Sequence, residues 1–270
     1  LEQKAASLEQ MLATCGDANA VEPLCRVAAE DIDIGVRRVA AYALGRLGDR
    51  RAVDTLAAMV LTDELHQPPA EQYVHLFSGE LSDEEWATYR SEIRAQAMTA
   101  LAAIGGPKAV ETIRKAMKLE PPRLRGLAIS LLAELGQPDA ADLAVQALGE
   151  KDYFLAAGAV DACEWLCDDR LREPLVRLVE SGRNGKTDVK EHRLDGSSPR
   201  TARYGETLLR ARALRIVRDR WPAEARAVLL GRLKAGDDLA AFLPSRAETW
   251  LTDANDRSAV PELTDLLENS

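Results

Sequence analysis

A segment of about 31 residues recurs along this chain, and an internal repeat of that length constrains the fold more than any other feature of the sequence. Residues 36–60 read VRRVAAYALGRLGDRRAVDTLAAMV, and related segments occupy 94–117 and 125–148. Each unit has a turn near its middle. The turn positions are Gly16, Gly48, Gly105, Gly136 and Cys167, followed by weaker ones near Arg218 and Thr252.

The apolar residues within a unit follow the period of an α-helix. In the second unit they fall on one face, with Arg38 and Arg46 on the other. This apolar face comprises Val36, Val39, Ala40, Ala43, Leu44 and Leu47. Ala and Leu, both strong helix formers, supply 82 of the 270 residues. The small side chains among them let neighbouring helices approach closely.

Each unit therefore predicts two helices joined by a tight turn. Gly suits the end of the first helix. Asp49 or Gln137 is placed to cap the second helix, and Pro107 or Pro138 suits its first helical position. One helical hairpin cannot bury its apolar face alone, so successive hairpins must stack. The sequence predicts an all-α chain, an α-solenoid of about seven hairpins in a right-handed superhelix, forming a single domain over residues 1–270.

The second helices open on a shared step, Ala-Val-acid-x-Leu. It is seen at Ala20–Leu24, at Ala52–Leu56 and, with Ile at the end, at Ala109–Ile113. Together with residues 36–56, this step resembles the HEAT repeats, in particular the short HEAT-like type named for phycobilisome lyases. The resemblance covers about four fifths of the chain and implies an α-solenoid. It implies little about function, because one fold hosts many functions.

Two insertions interrupt the repeat, at about 62–81 and 182–202. The first is acidic, since residues 62–92 hold eight acids and one Arg. Within it we expect a short helix from Pro69, and then a long helix starting at the capping box of Ser82 and Glu85. Trp86, at the start of that helix, is either an exposed anchor for a partner or a core residue.

The second insertion is rich in Gly, Ser and charge and predicts a flexible loop. With the helix that follows it, residues 183–220 contain eleven basic and five acidic side chains. We interpret this stretch as a basic arm for an acidic partner, with Arg193, Arg200 and Arg203 as its contact residues, or else as a solvated helix face with a mobile loop.

An acidic residue recurs directly after the Ala-Val pair, or its equivalent, in five successive units. Equivalent positions of a solenoid stack into a row, so these carboxylates predict an acidic ladder along one face. The ladder would bind a basic or amphipathic segment of a partner protein, or it would only complement the helix dipoles. Its members are Glu22, Asp54, Glu111, Asp142 and Glu173.

No sequence motif of a catalytic site, phosphate-binding loop or metal centre is present. The three histidines, His66, His75 and His192, all lie in the insertions with loose spacing. Cys163 takes a core position of the repeat, and Cys167 replaces the turn Gly as the one plausible reactive thiol. We expect no enzymatic activity, no metal and no cofactor.

These features favour a non-catalytic scaffold or adaptor that binds a protein along its concave groove and its insertion-bearing edge. The alternative is an enzyme or chaperone subunit similar to the bilin lyases that carry such repeats. A DNA-binding protein like the HEAT-like alkylpurine glycosylases is less favoured, because the net charge is -9 and the ladder would repel phosphates. No apolar run is long enough to span a membrane, and the four cysteines without C-x-x-C spacing favour the cytoplasm.

Overall fold

The described part of the computed structural model comprises residues 18–31, 33–62, 83–119, 121–181 and 199–234. These residues form α-helices, three short 3-10 turns and no strand, so the predicted all-α class is confirmed. The helices are α1 (Val21–Glu30), α2 (Ile34–Leu47), α3 (Val53–Leu61), α4 (Asp83–Ile104), α5 (Pro107–Ala116), α6 (Pro122–Glu134), α7 (Ala140–Leu148), α8 (Tyr153–Ala162), α9 (Arg172–Ser181), α10 (Pro199–Arg220) and α11 (Pro222–Lys234).

The even-numbered helices α2 to α10 are the first helices of successive repeats, and the odd-numbered ones are the second helices. The chain divides within α7 into two compact units, residues 1–143 and 144–270. In the first unit α4 packs between α2 and α6, while α3 packs between α1 and α5. In the second unit α10 packs against α8, α9 and α11. Each unit thus stacks first helices on first helices, as repeats do. A single domain over 1–270 stays a prediction.

The core of each first helix uses the same five repeat positions. In α2 these are Val36, Ala40, Ala41, Ala43 and Leu44, all buried. The equivalent residues are buried in every other described first helix. They are Ile93, Ala97, Met98, Ala100 and Leu101 in α4; Leu124, Ala128, Ile129, Leu131 and Leu132 in α6; Leu155, Ala159, Val160 and Ala162 in α8, with Cys163 directly after it; and Leu209, Ala213, Leu214, Ile216 and Val217 in α10.

This buried face differs slightly from the predicted one. Ala41 is buried, whereas Val39 and Leu47 are only half-buried. The buried arc is therefore shifted towards Ala41, with Val39 at its other edge and Leu47 at the end of the helix. Helix α10 has the same buried positions and is followed by α11, so the sixth repeat, whose turn is weak in the sequence, is a full helix pair.

Close approach of neighbouring first helices is also confirmed. Gly45 of α2 lies against α4, where a Cβ atom placed on it would be 2.8 Å from the Cα of Ala100. No side chain fits at that position without moving the backbone. The small residues at the seam therefore set the distance between the two helices.

The predicted turns have the expected backbone geometry. Gly48, Gly105 and Gly136 have φ of 69°, 72° and 64°, a left-handed conformation that favours glycine. The Asp49 carboxylate accepts a hydrogen bond from the Arg51 backbone N–H at 2.9 Å, and Pro107 is the first residue of α5. The helix start at Pro107 is confirmed, whereas Asp49 caps the short 3-10 turn Arg50–Ala52 that precedes α3, and α3 itself begins after Ala52 without a side-chain cap.

Three boundaries differ from the predictions. Pro138 lies in the turn before α7 rather than in its first helical turn, because the helix begins at Ala140. The turn of the sixth repeat falls at Trp221 rather than near Arg218. Helix α10 begins at Pro199, inside the loop predicted over 182–202, because Pro supplies a helical φ without needing a hydrogen-bonded N–H.

Arginines at one repeat position of the first helices donate hydrogen bonds to the backbone at the end of the preceding second helix. Arg37 donates from Nε to the carbonyl of Ala28 at 2.9 Å, and Arg210 donates from Nε and Nη2 to the carbonyl of Val179 at 3.1 and 2.8 Å. Arg94, at the equivalent position of α4, donates to a carbonyl that follows α3. These carbonyls lie near helix C-termini, where a guanidinium satisfies an oxygen without an intrahelical partner.

Candidate functional site

The five ladder carboxylates are all exposed. Four of them lie in the first turn of a second helix, whereas Glu111 is the fifth residue of α5, one turn further along. The helix dipole therefore accounts for four of the positions better than for Glu111. Glu22, Asp54, Glu111 and Asp142 belong to the first compact unit and Glu173 to the second.

Basic side chains accompany three of these carboxylates. Lys115 Nζ lies 2.7 Å from Glu111 Oε1, four residues along the same helix, and Arg177 pairs with Glu173 at the same spacing. The Lys115 ammonium lowers the pKa of Glu111 by hydrogen bonding to its carboxylate. Asp54 pairs with Lys108 on the neighbouring second helix.

Three of the ladder positions therefore carry an ion pair rather than a bare carboxylate. Each of these ion pairs is more than half exposed and contributes little to stability, so a partner can exchange it at small cost. The Glu111–Lys115 and Glu173–Arg177 pairs could be predicted from the sequence, since an acid and a base four residues apart on a helix lie on the same face. The pair of Lys108 with Asp54 could not be predicted in this way, because the two residues lie on different helices.

The basic stretch is largely occupied by contacts inside the chain. Arg210 is buried and donates to the backbone carbonyl of Val179. Arg212 forms an ion pair with Asp161, and Arg215 forms one with Glu164, both in the preceding repeat. The guanidinium of Arg220 donates to the backbone carbonyls of Cys163 and Leu166. Arg218 pairs with Asp219.

Arg210 is therefore not part of an exposed arm, whereas Arg212 and Arg215 lie in partly exposed ion pairs, so the interpretation of residues 183–220 as a basic arm or a solvated face stays a prediction for the rest of the stretch. A count of charges cannot distinguish a free arginine from one whose long stem lies along a neighbouring helix. Arg193 lies outside the described residues. Arg200 and Arg203 lie in α10, but their side chains are outside the described part, so all three remain predicted contact residues.

The acidic insertion and the side chain of Trp86 lie largely outside the described residues. Helix α4 begins at Asp83, as the capping box predicts, and runs for 22 residues. The side chain of Trp86, the segment after Pro69 and the three histidines lie outside the described residues. Whether Trp86 is an anchor or a core residue therefore stays open.

Cys163 and Cys167 differ in solvent exposure. Cys163, directly after the last residue of α8, is fully buried, as predicted, and burial raises the pKa of its thiol to about 12. Cys167 is exposed in the turn before α9. Neither is in a disulfide, and no group of three or more potential metal ligands occurs in the part of the chain that the structure describes.

Comparison with models of protein families identifies the family of this chain. The family model for HEAT repeats matches residues 3–67 and 85–163, together more than half of the chain. The chain belongs to the HEAT-repeat family. Its architecture is accordingly an α-solenoid, and the α10–α11 pair adds a repeat beyond the matched residues. The match does not assign the phycobilisome-lyase type, which stays a prediction.

HEAT repeats commonly serve as scaffolds for protein interactions, and this is the level at which the family informs function. Comparison with curated proteins gives no match for this HEAT-repeat chain. None of the described helices combines the length and the apolar character that a membrane crossing requires.

Proposed function

We propose that this HEAT-repeat protein is a non-catalytic scaffold or adaptor that binds a partner protein along its second helices. The observation that carries the proposal is the recurrence of an exposed carboxylate on successive second helices, beside bases held only by weak surface pairs. The helix dipole alone does not require an acid as far along α5 as Glu111.

The partner we infer carries a basic or amphipathic segment. Its Lys or Arg side chains would replace Lys108 and Lys115 at Asp54 and Glu111, exchanging one exposed ion pair for another. Such an exchange is nearly neutral in energy, so specificity would come from the spacing of the carboxylates along successive helices. The insertion-bearing edge, with Arg193, Arg200, Arg203 and Trp86, would supply further contacts.

The test compares two variants with the same change of charge. Glu111→Lys with Asp142→Lys reverses two ladder positions. Glu134→Lys with Glu150→Lys reverses two exposed acids, one at the last residue of α6 and one two residues after α7. The partner is captured from the native extract with the parent chain, identified by mass spectrometry, purified, and titrated against all three proteins by calorimetry.

We expect the ladder variant to bind at least about tenfold more weakly and the control variant to bind like the parent. Circular dichroism establishes that both variants keep the parent's helix content. Equal affinity of the ladder variant and the parent would show that the carboxylates are helix-stabilising residues only.

A further inference from the structure

The solvent-facing side of α2 carries an aromatic residue between two arginines. Arg38, Tyr42 and Arg46 are spaced four residues apart, so they line one face of the helix over about 12 Å. Tyr42 is 47% exposed, although tyrosine usually contributes its ring to packing. We call these three residues the α2 stripe.

The repeat itself does not require the stripe. The buried positions of the first helices fix which residues are equivalent, so the other repeats serve as an internal comparison. At the three stripe positions those repeats have small, polar, acidic or different large residues, and no other repeat combines arginines with an aromatic. The equivalents are Ala95, Gly126, Ala157 and Ala211 for Arg38; Thr99, Ser130, Asp161 and Arg215 for Tyr42; and Ala103, Glu134, Trp165 and Asp219 for Arg46.

The charges of the stripe are available to a ligand. Within the described residues Arg46 takes part in no ion pair and Tyr42 makes no hydrogen bond or ring contact. Arg38 lies 3.7 Å from Glu92 of α4, a pair whose two side chains are 52% and 37% exposed. An exposed pair at that distance contributes little, so Arg38 can turn to another carboxylate.

We propose that the α2 stripe binds an extended acidic segment of a partner protein. In an extended chain residues i, i+2 and i+4 point to one side, and the outer two are about 13 Å apart. That distance matches the separation of Arg38 and Arg46. The segment that fits is therefore acid-x-apolar-x-acid, with each carboxylate on one guanidinium and the central side chain on the Tyr42 ring.

A peptide fits this surface better than a nucleic acid does. Binding nucleic acid at physiological salt takes several phosphate contacts, and the stripe offers only two arginines. A short peptide needs only the two carboxylates and one apolar contact. The stripe lies on a first helix, so this site is separate from the second-helix surface proposed above.

The probe is a fluorescein-labelled peptide containing Glu-Ser-Leu-Ser-Glu, titrated with the full chain by fluorescence polarisation at 50 and 150 mM salt. Its control has the same composition in the order Glu-Glu-Leu-Ser-Ser. The protein variants are Tyr42→Ala and Arg46→Glu, and the matched control is Arg123→Glu, an exposed arginine at the start of α6. A dT oligonucleotide competes in a separate titration.

We expect a Kd on the order of 10–100 μM for the spaced peptide, and binding about tenfold weaker for the permuted peptide and for each stripe variant. Arg123→Glu and the ladder variant should bind like the parent, which separates this proposal from the proposed function. The absence of saturable binding up to about 1 mM would overturn it, as would equal affinity for the two peptides. Equal losses with Arg123→Glu, or tighter binding of the oligonucleotide at the stripe, would overturn it as well.

Discussion

Replacing Gly45 by Ala tests how closely α2 and α4 pack. A Cβ on this residue would lie 2.8 Å from the Cα and 2.9 Å from the Cβ of Ala100. Both atoms are fixed by the backbone of a long helix, so no flexible side chain can move aside. Overpacking of this kind costs about 1–3 kcal/mol, and the rigid contact favours the upper half of that range.

The substitution also has a favourable effect, since Ala is better than Gly in a helix by about 1 kcal/mol. We therefore expect Gly45→Ala to lower the free energy of unfolding by about 1–2 kcal/mol, a fall of about 2–8 °C in Tm. Gly231→Ala is the matched control, because Gly231 is helical and exposed and a Cβ there meets nothing within 4 Å. It should raise the stability by up to about 1 kcal/mol.

The assay is urea unfolding followed by circular dichroism at 222 nm, with calorimetric melting of the same samples. The difference between the two variants isolates the helix crossing, because the propensity gain is common to both. The reasoning is refuted if Gly45→Ala is stabilising to the same extent as Gly231→Ala. That result would mean that α2 and α4 lie farther apart, or yield more easily, than the structure indicates.

Two further predictions concern single buried groups. Arg210→Met should lower the free energy of unfolding by about 1.5–3 kcal/mol, because it removes charged hydrogen bonds to the Val179 carbonyl. Arg215→Met breaks only an exposed ion pair and should lower it by less than about 1 kcal/mol. Equal midpoints of urea unfolding for the two variants would contradict this prediction. Cys163 has a folded pKa of about 12 against 9.0 for a free thiol, so its contribution is complete below pH 9 and is lost as pH rises toward 12. Between pH 8 and about 10.5 the free energy of unfolding of the parent should fall by on the order of 1–2 kcal/mol more than that of Cys163→Ala. Parallel plots of unfolding free energy against pH for the two proteins would exclude the effect.

The local structure of this protein could be predicted from its sequence because local interactions specify it. Positive φ at Gly48, the cap at Asp49 and the helix start at Pro107 depend on residues within one or two turns of the chain. Most of the buried face of α2 followed from periodicity, apart from Ala41, which is buried, and Val39 and Leu47, which are only half-buried. Stacking followed as well, since a hairpin with one apolar face requires a neighbour.

The pairing of charges was decided by the tertiary structure. Arg210 and Arg46 are both arginines on first helices, yet one is buried against a carbonyl and the other has no ion pair among the described residues. The sequence shows eleven bases between 183 and 220 but not that Arg212 meets Asp161 of another helix. Such partners are distant along the chain, and only the stacking of repeats brings them together.

The same distinction applies to the candidate surfaces. The sequence alone determined that an acid recurs at one repeat position and that Arg38 and Arg46 lie opposite the apolar face of their helix. Only the fold decided that Lys108 accompanies Asp54 and that the Tyr42 ring is left exposed. A repeat period fixes which residues are equivalent, because each unit must bury the same face. Exposure and ion pairing depend instead on what the neighbouring helices present, and that differs from one repeat to the next.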